Sequence, residues 1–175
     1  MLERRFIWMP LLVGSGIALA ACAPASNRLE AGSEVAAVAA VGVGSAGSAK
    51  TLPVVQVHKS PTCGCCAVWV DHLRAAGFPV EVHNEDNLNP LKERLGIPYG
   101  KGSCHTAVVG GYVIEGHVPA QDIKRLLAES PDAKGLVLPG MPLGSPGMES
   151  PDGRSQPYTV ELIGLDGSTN AFSQH

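Results

Sequence analysis

The chain has 175 residues, 45% of them hydrophobic and 17% charged, and its 13 Lys and Arg against 16 Asp and Glu give a formal net charge of −3. A slightly acidic chain without a Lys/Arg cluster argues against nucleic acid as a partner. Setting the ends aside, about 120 residues remain, enough for one domain with a modest core.

Residues 1–21 read as a targeting segment. Arg4 and Arg5 form a positive start, Phe6 to Ala21 is apolar and short, and small residues lead into Leu19-Ala20-Ala21-Cys22. That quartet resembles a bacterial lipobox, whose cysteine is lipidated and becomes the new N-terminus. Cys22 is thus the expected lipidation site, and Ala23 after it gives an outer-membrane anchor by default. The apolar stretch is short for a transmembrane helix. Residues 22–51 are mostly Ala, Gly, Ser and Val, too featureless for a core, and read as a flexible tether reaching about 30 Å. The expected location is the bacterial cell envelope, facing the periplasm. In that oxidising compartment, neighbouring thiols become disulfides unless a metal or a reductant holds them.

Residues 52–130 carry the regular pattern. Pro53 to His58 is a β-branched run and predicts a buried strand. Ala67, Trp69, Val70, Leu73 and Ala76 have helical spacing that stops at Gly77. Pro79 to His83 alternates as a second strand, and Asn89-Pro90 opens a short helix that stops at Gly96. Thr106–Val109 and Tyr112–Ile114 flank Gly110-Gly111, a hairpin signature. Pro119-Ala120 leads into a helix with Ile123, Leu126 and Leu127 that ends near Ser130-Pro131. The order βαβαββα is that of a thioredoxin-like α/β fold. In such a fold the turn into the first helix faces the loop entering the third strand, and His105 stands where thioredoxins carry a cis-proline. Residues 131–175 read as a C-terminal extension packed on the domain. Gly135 to Glu149 is too rich in Pro and Gly for a regular element, and Tyr158–Leu162 with Asn170–Phe172 predicts a final hairpin.

The chemistry concentrates at Cys63-Gly64-Cys65-Cys66 and Cys104-His105. Thiolates are soft ligands that prefer Cu(I), Zn and iron–sulfur clusters. Residues three apart share a helix face while adjacent ones diverge by about 100°, so Cys63 and Cys66 converge and Cys65 points elsewhere. One tetrahedral zinc ion would strain to collect all three, and no second zinc-type pair is present. Thiolates bridging several Cu(I) ions accommodate diverging sulfurs more easily. A helix N-terminus favours thiolate over thiol. Structural disulfides are the bland alternative. Cys63 and Cys66 also form a Cys-x-x-Cys, the pattern of thiol–disulfide oxidoreductases, although the middle cysteine and the missing cis-proline weigh against it. His105 is a candidate ligand, with His117 and the thioethers of Met141 and Met148 as further donors. His58, His72 and His83 read as ordinary surface residues, and Trp69 as core beneath the cysteine loop.

Five segments occur in order: Lys59 to Cys66, Trp69 to Phe78, Ser103 to Ala107, Tyr112 to Ala120, and Gly140-Met141-Pro142 through Gly147-Met148-Glu149. In these the chain resembles the CopG-type periplasmic copper-resistance family. The resemblance spans Pro53 to Phe172 and implies a thioredoxin-like fold, copper at the cysteines and a role in copper tolerance. The resulting expectation is a lipid-anchored envelope protein that sequesters Cu(I) through Cys63, Cys65, Cys66 and Cys104, with His105 assisting. A mixed sulfur and imidazole set also tolerates Cu(II), which extends the expectation to a copper oxidoreductase. No catalytic residue is assigned beyond Cys63 and Cys66, should they be redox-active. The expected partners are copper ions, a membrane through the N-terminal anchor, and other envelope copper-handling proteins.

Overall fold

The computed structural model describes residues 51–175; the expected signal segment, the expected lipidation at Cys22 and the expected tether up to residue 50 lie outside the described residues. Seven strands and three helices follow in the order β1 (Val55–Lys59), α1 (Gly64–Ala75), β2 (Val80–Asn84), α2 (Asn89–Leu95), β3 (His105–Val109), β4 (Tyr112–Glu115), α3 (Ala120–Glu129), β5 (Gly135–Val137), β6 (Thr159–Ile163) and β7 (Thr169–Gln174). One mixed sheet holds all seven strands in the order β2-β1-β3-β4-β5-β6-β7. β1 lies parallel to β2 and antiparallel to β3, and β4 parallel to β5. Among the described residues no helix is long and apolar enough to cross a membrane.

Local chemistry explains the element ends. Gly77 follows α1 at φ 91° and Gly96 closes α2 at φ 70°, both left-handed positions that favour glycine. Gly110 and Gly111, at φ 57° and 88°, turn β3 into β4, as a two-residue hairpin of primed type requires. Pro90 sits in the first turn of α2, where its missing N–H leaves nothing unsatisfied.

The main core lies on one face of the sheet. Val55, Val57, Ala107, Val109, Ile114 and Leu136 meet Trp69, Val70 and Leu73 of α1 and Ile123 and Leu126 of α3, all buried. Each such aliphatic side chain contributes roughly 1.5–3 kcal/mol by leaving water. The opposite face carries a polar row. His83, His58, Thr106, Glu115, Val137 and Glu161 are successive register partners across β2, β1, β3, β4, β5 and β6. Lys92 of α2 donates to Thr106 Oγ1 at 2.8 Å and bonds the carboxylate of Glu115, while Lys101 reaches Glu161 at 2.6 Å.

Three expectations need correction or extension. Gly135-Leu136-Val137 is a regular strand, fully buried between β4 and β6, and not part of an irregular stretch. The Tyr158-onward hairpin does form, but it continues the sheet edge to edge through β5. The second strand also lacks the expected alternation: β2 is the sheet's edge and is exposed along most of its length.

Candidate metal centre

α1 begins at Gly64, directly after Cys63, so the first turn of the helix carries Cys65 and Cys66. Cys66 is fully buried and aims its sulfur at Cys104, which directly precedes β3: the two Sγ atoms are 3.3 Å apart. Cys63 and Cys66 are joined by a disulfide, while Cys65 and Cys104 are free. Cys65 Sγ lies 3.5 Å from Cys63 Sγ. One sulfur from each of the four cysteines falls within a span of 4.8 Å, close enough to share metal ions once the disulfide is opened by two electrons and two protons.

A second donor group shares one member with the first. Cys104, His105 and His117 also bring their ligand atoms within 4.8 Å of one another. His117 Nε2 sits 3.0 Å from Cys104 Sγ, and its Nδ1 lies 2.7 Å from the carbonyl oxygen of Pro146. A carbonyl only accepts, so Nδ1 carries the proton and Nε2 of the neutral ring presents a lone pair to the thiol. Ligating histidines are commonly oriented in this way, with the far nitrogen donating to a carbonyl or carboxylate. Burial holds His117 below its usual range.

His105 is held by packing instead. Its ring is fully buried, 4.2 Å from the Trp69 ring and edge-on to His117 at 4.9 Å. Nδ1 approaches Cys104 Sγ at 3.3 Å, while Nε2 is buried without a hydrogen-bond partner among the described residues. Burial, with the nearby His117 and the charges of Lys92 and Lys59, lowers its pKa to about 3. Both rings are therefore neutral at physiological pH, the state in which imidazole binds metals. Burial, with Cys65 adding, pushes the Cys104 thiol up to about 11, so a metal at this sulfur must displace a proton.

Supporting residues fix these donors. Trp69 Nε1 donates to Val118 O at 2.9 Å, which sets the indole beneath His105. Glu115, buried on the opposite face, accepts from the Ser103 backbone N–H at 2.6 Å and from Thr106 Oγ1 at 2.6 Å, clamping the chain on both sides of Cys104-His105. The Pro/Gly-rich loop closes the other side. A Cβ built on Gly147 would lie 2.6 Å from Cys65 O, 3.0 Å from Trp69 N and 3.2 Å from His117 Nδ1.

The structure thus brings together all five residues that motif spacing singled out, and of the further donors it places His117 beside them, oriented by its Pro146 acceptor. Met148 lies next to Gly147 on the covering loop, while Met141 is half exposed. The roles of Glu115 and Lys59 went unread. Lys59 is buried in register with His105, its ammonium on Ser60 O at 2.9 Å. A lysine adjoining a cysteine motif was the one available signal.

A soft-donor metal centre of thiols and imidazoles, set at the end of a mixed α/β sheet, is the class these features define. Two solved structures, forms 1 and 2 of a copper resistance protein CopG, are each 44% identical to the chain, cover 71% of it and 98% of their own length, and superpose with a TM-score of 0.67. A family model described as a protein of unknown function, DUF411, matches residues 101–148. No curated protein matches. The chain belongs to the CopG-type copper-resistance family.

Proposed function

We propose that the protein sequesters Cu(I) in the cell envelope through Cys63, Cys65, Cys66 and Cys104, with His117 and His105 as imidazole ligands, and so contributes to copper tolerance. The observation that carries this reading is the convergence of three further sulfurs and two neutral imidazoles on the sulfur of Cys104, a donor set that suits Cu(I) better than hard cations. Opening the Cys63–Cys66 disulfide frees the full set. The β2-β1-β3-β4 order, with the cysteines at the first strand-to-helix turn, supports a thioredoxin-like core extended by residues 131–175. A lipid on Cys22 and the tether after it would hold this unit at the membrane surface, facing the periplasm.

The disulfide itself favours a second reading, a thiol–disulfide oxidoreductase working through Cys63 and Cys66. A related extension is interconversion of Cu(I) and Cu(II), with the pair supplying or taking electrons. An anaerobic Cu(I) titration of the reduced protein against a competing chelator, with alkylation mapped cysteine by cysteine, separates them. More than one tightly held Cu(I) per chain, with all four thiols shielded, is expected. Weak binding with only Cys63 and Cys66 reactive toward a disulfide substrate would overturn the copper reading.

A further inference from the structure

His58 and His83 are directly opposed register partners on the parallel strands β1 and β2. Their rings stack with centroids 4.8 Å apart and planes 21° from parallel. The backbone N–H of Glu85 bonds Lys59 O, extending the ladder by one residue, and this brings the Glu85 carboxylate to 2.5 Å from His58 Nδ1. A carboxylate accepts there, so Nδ1 carries the proton and Nε2 is left as the donor atom. That is the carboxylate–histidine arrangement that fixes tautomer and ring direction at metal ligands and raises their basicity. His58 is only 18% exposed while His83 is open to solvent, so one ring is anchored and the other accessible.

The pair is remote from the thiols in direction as well as chemistry. His58 alternates with Val57 and Lys59, which face the core, and is in register with Thr106 on the far side of the sheet from His105. In the stack the two ring planes lie 21° apart and their lone pairs run side by side; because the residues are register partners on adjacent strands, turning both rings out of the stack directs the two nitrogens at one ion at about 2.0–2.1 Å. Sulfur is absent from this group, so it suits borderline divalent ions more than Cu(I), and the stability order of first-row ions places Cu(II) foremost.

We propose that His58 and His83, oriented by Glu85, form a second metal site that takes a divalent first-row ion, Cu(II) above others, with water completing the coordination. This site does not rest on the thiol centre, and each can fail alone.

The test is Cu(II) titration followed by electron paramagnetic resonance, to which Cu(I) is silent. The full chain carrying Cys22→Ser, Cys65→Ser and Cys104→Ser keeps the disulfide and has no free thiol to reduce Cu(II). One Cu(II) per chain with superhyperfine structure from two nitrogens is expected. Either His58→Ala or His83→Ala should weaken it at least about tenfold, as should Glu85→Gln, while His72→Ala should change nothing. If the cysteine variant folds poorly, wild-type protein with its free thiols blocked by alkylation gives the same readout. A two-nitrogen signal that survives the His58→Ala, His83→Ala double variant, or no bound Cu(II) at stoichiometric concentration, overturns the proposal.

Discussion

Replacing Glu115 by Ala tests the buried clamp beneath Cys104. The carboxylate is fully buried and collects Lys92 Nζ, Thr106 Oγ1 and the Ser103 N–H. Removing one partner of a buried ion pair costs about 3–5 kcal/mol, because the other charge is stranded. Lys92 is 15% exposed and can swing partly into water, which places the cost at the lower end, about 3 kcal/mol. For a unit of this size that lowers Tm by about 10–15 °C. Urea and thermal unfolding of the metal-free protein measure it. Lys92→Met in the Glu115→Ala background should recover part of the loss, because the stranded charge goes with it. A Glu115→Ala protein within about 1 kcal/mol of wild type, or a double variant no more stable than the single, would refute the clamp.

Gly147→Ala should loosen the covering loop, since the added carbon meets Cys65 O at 2.6 Å and φ is 87°; expected are a loss of about 1–3 kcal/mol and faster alkylation of Cys65 in copper-loaded protein. The pH dependence follows from the two buried rings. Their folded pKa values lie below the unfolded 6.5, so the unfolded chain binds more protons as pH falls, and each ring subtracts up to about 1.4 kcal/mol per pH unit. Stability of the metal-free protein should therefore be full above pH 6.5 and decline below it, for His105 down to about pH 3, and a His105→Phe variant should flatten the urea-midpoint profile in that window.

Much of the fold was legible because its boundaries are chemical. Gly77, Gly96 and Gly110-Gly111 stand where left-handed backbone is needed, and these local signals do not depend on tertiary partners. β5 was hidden because Gly135 reads as a breaker. It is glycine because a Cβ there would lie 1.8 Å from Val113 O, a close approach between strands that is invisible along the chain. The four cysteines and His105 were legible from spacing and element order. His117 was underweighted because its qualification as a donor comes from Pro146, 29 residues away. His58 and His83 look like surface residues until register pairs them across β1 and β2.

Cys104 belongs to both donor groups, and this makes loading unlike filling two separate cups. Its proton, held with a pKa of about 11, is the shared obstacle to occupancy on either side. The first ion to take the sulfur expels that proton once, and a second arriving at the same thiolate is spared that step. On the proposed copper reading, the spared step would weigh against half-loaded chains, and a population short of copper would divide into empty and filled molecules.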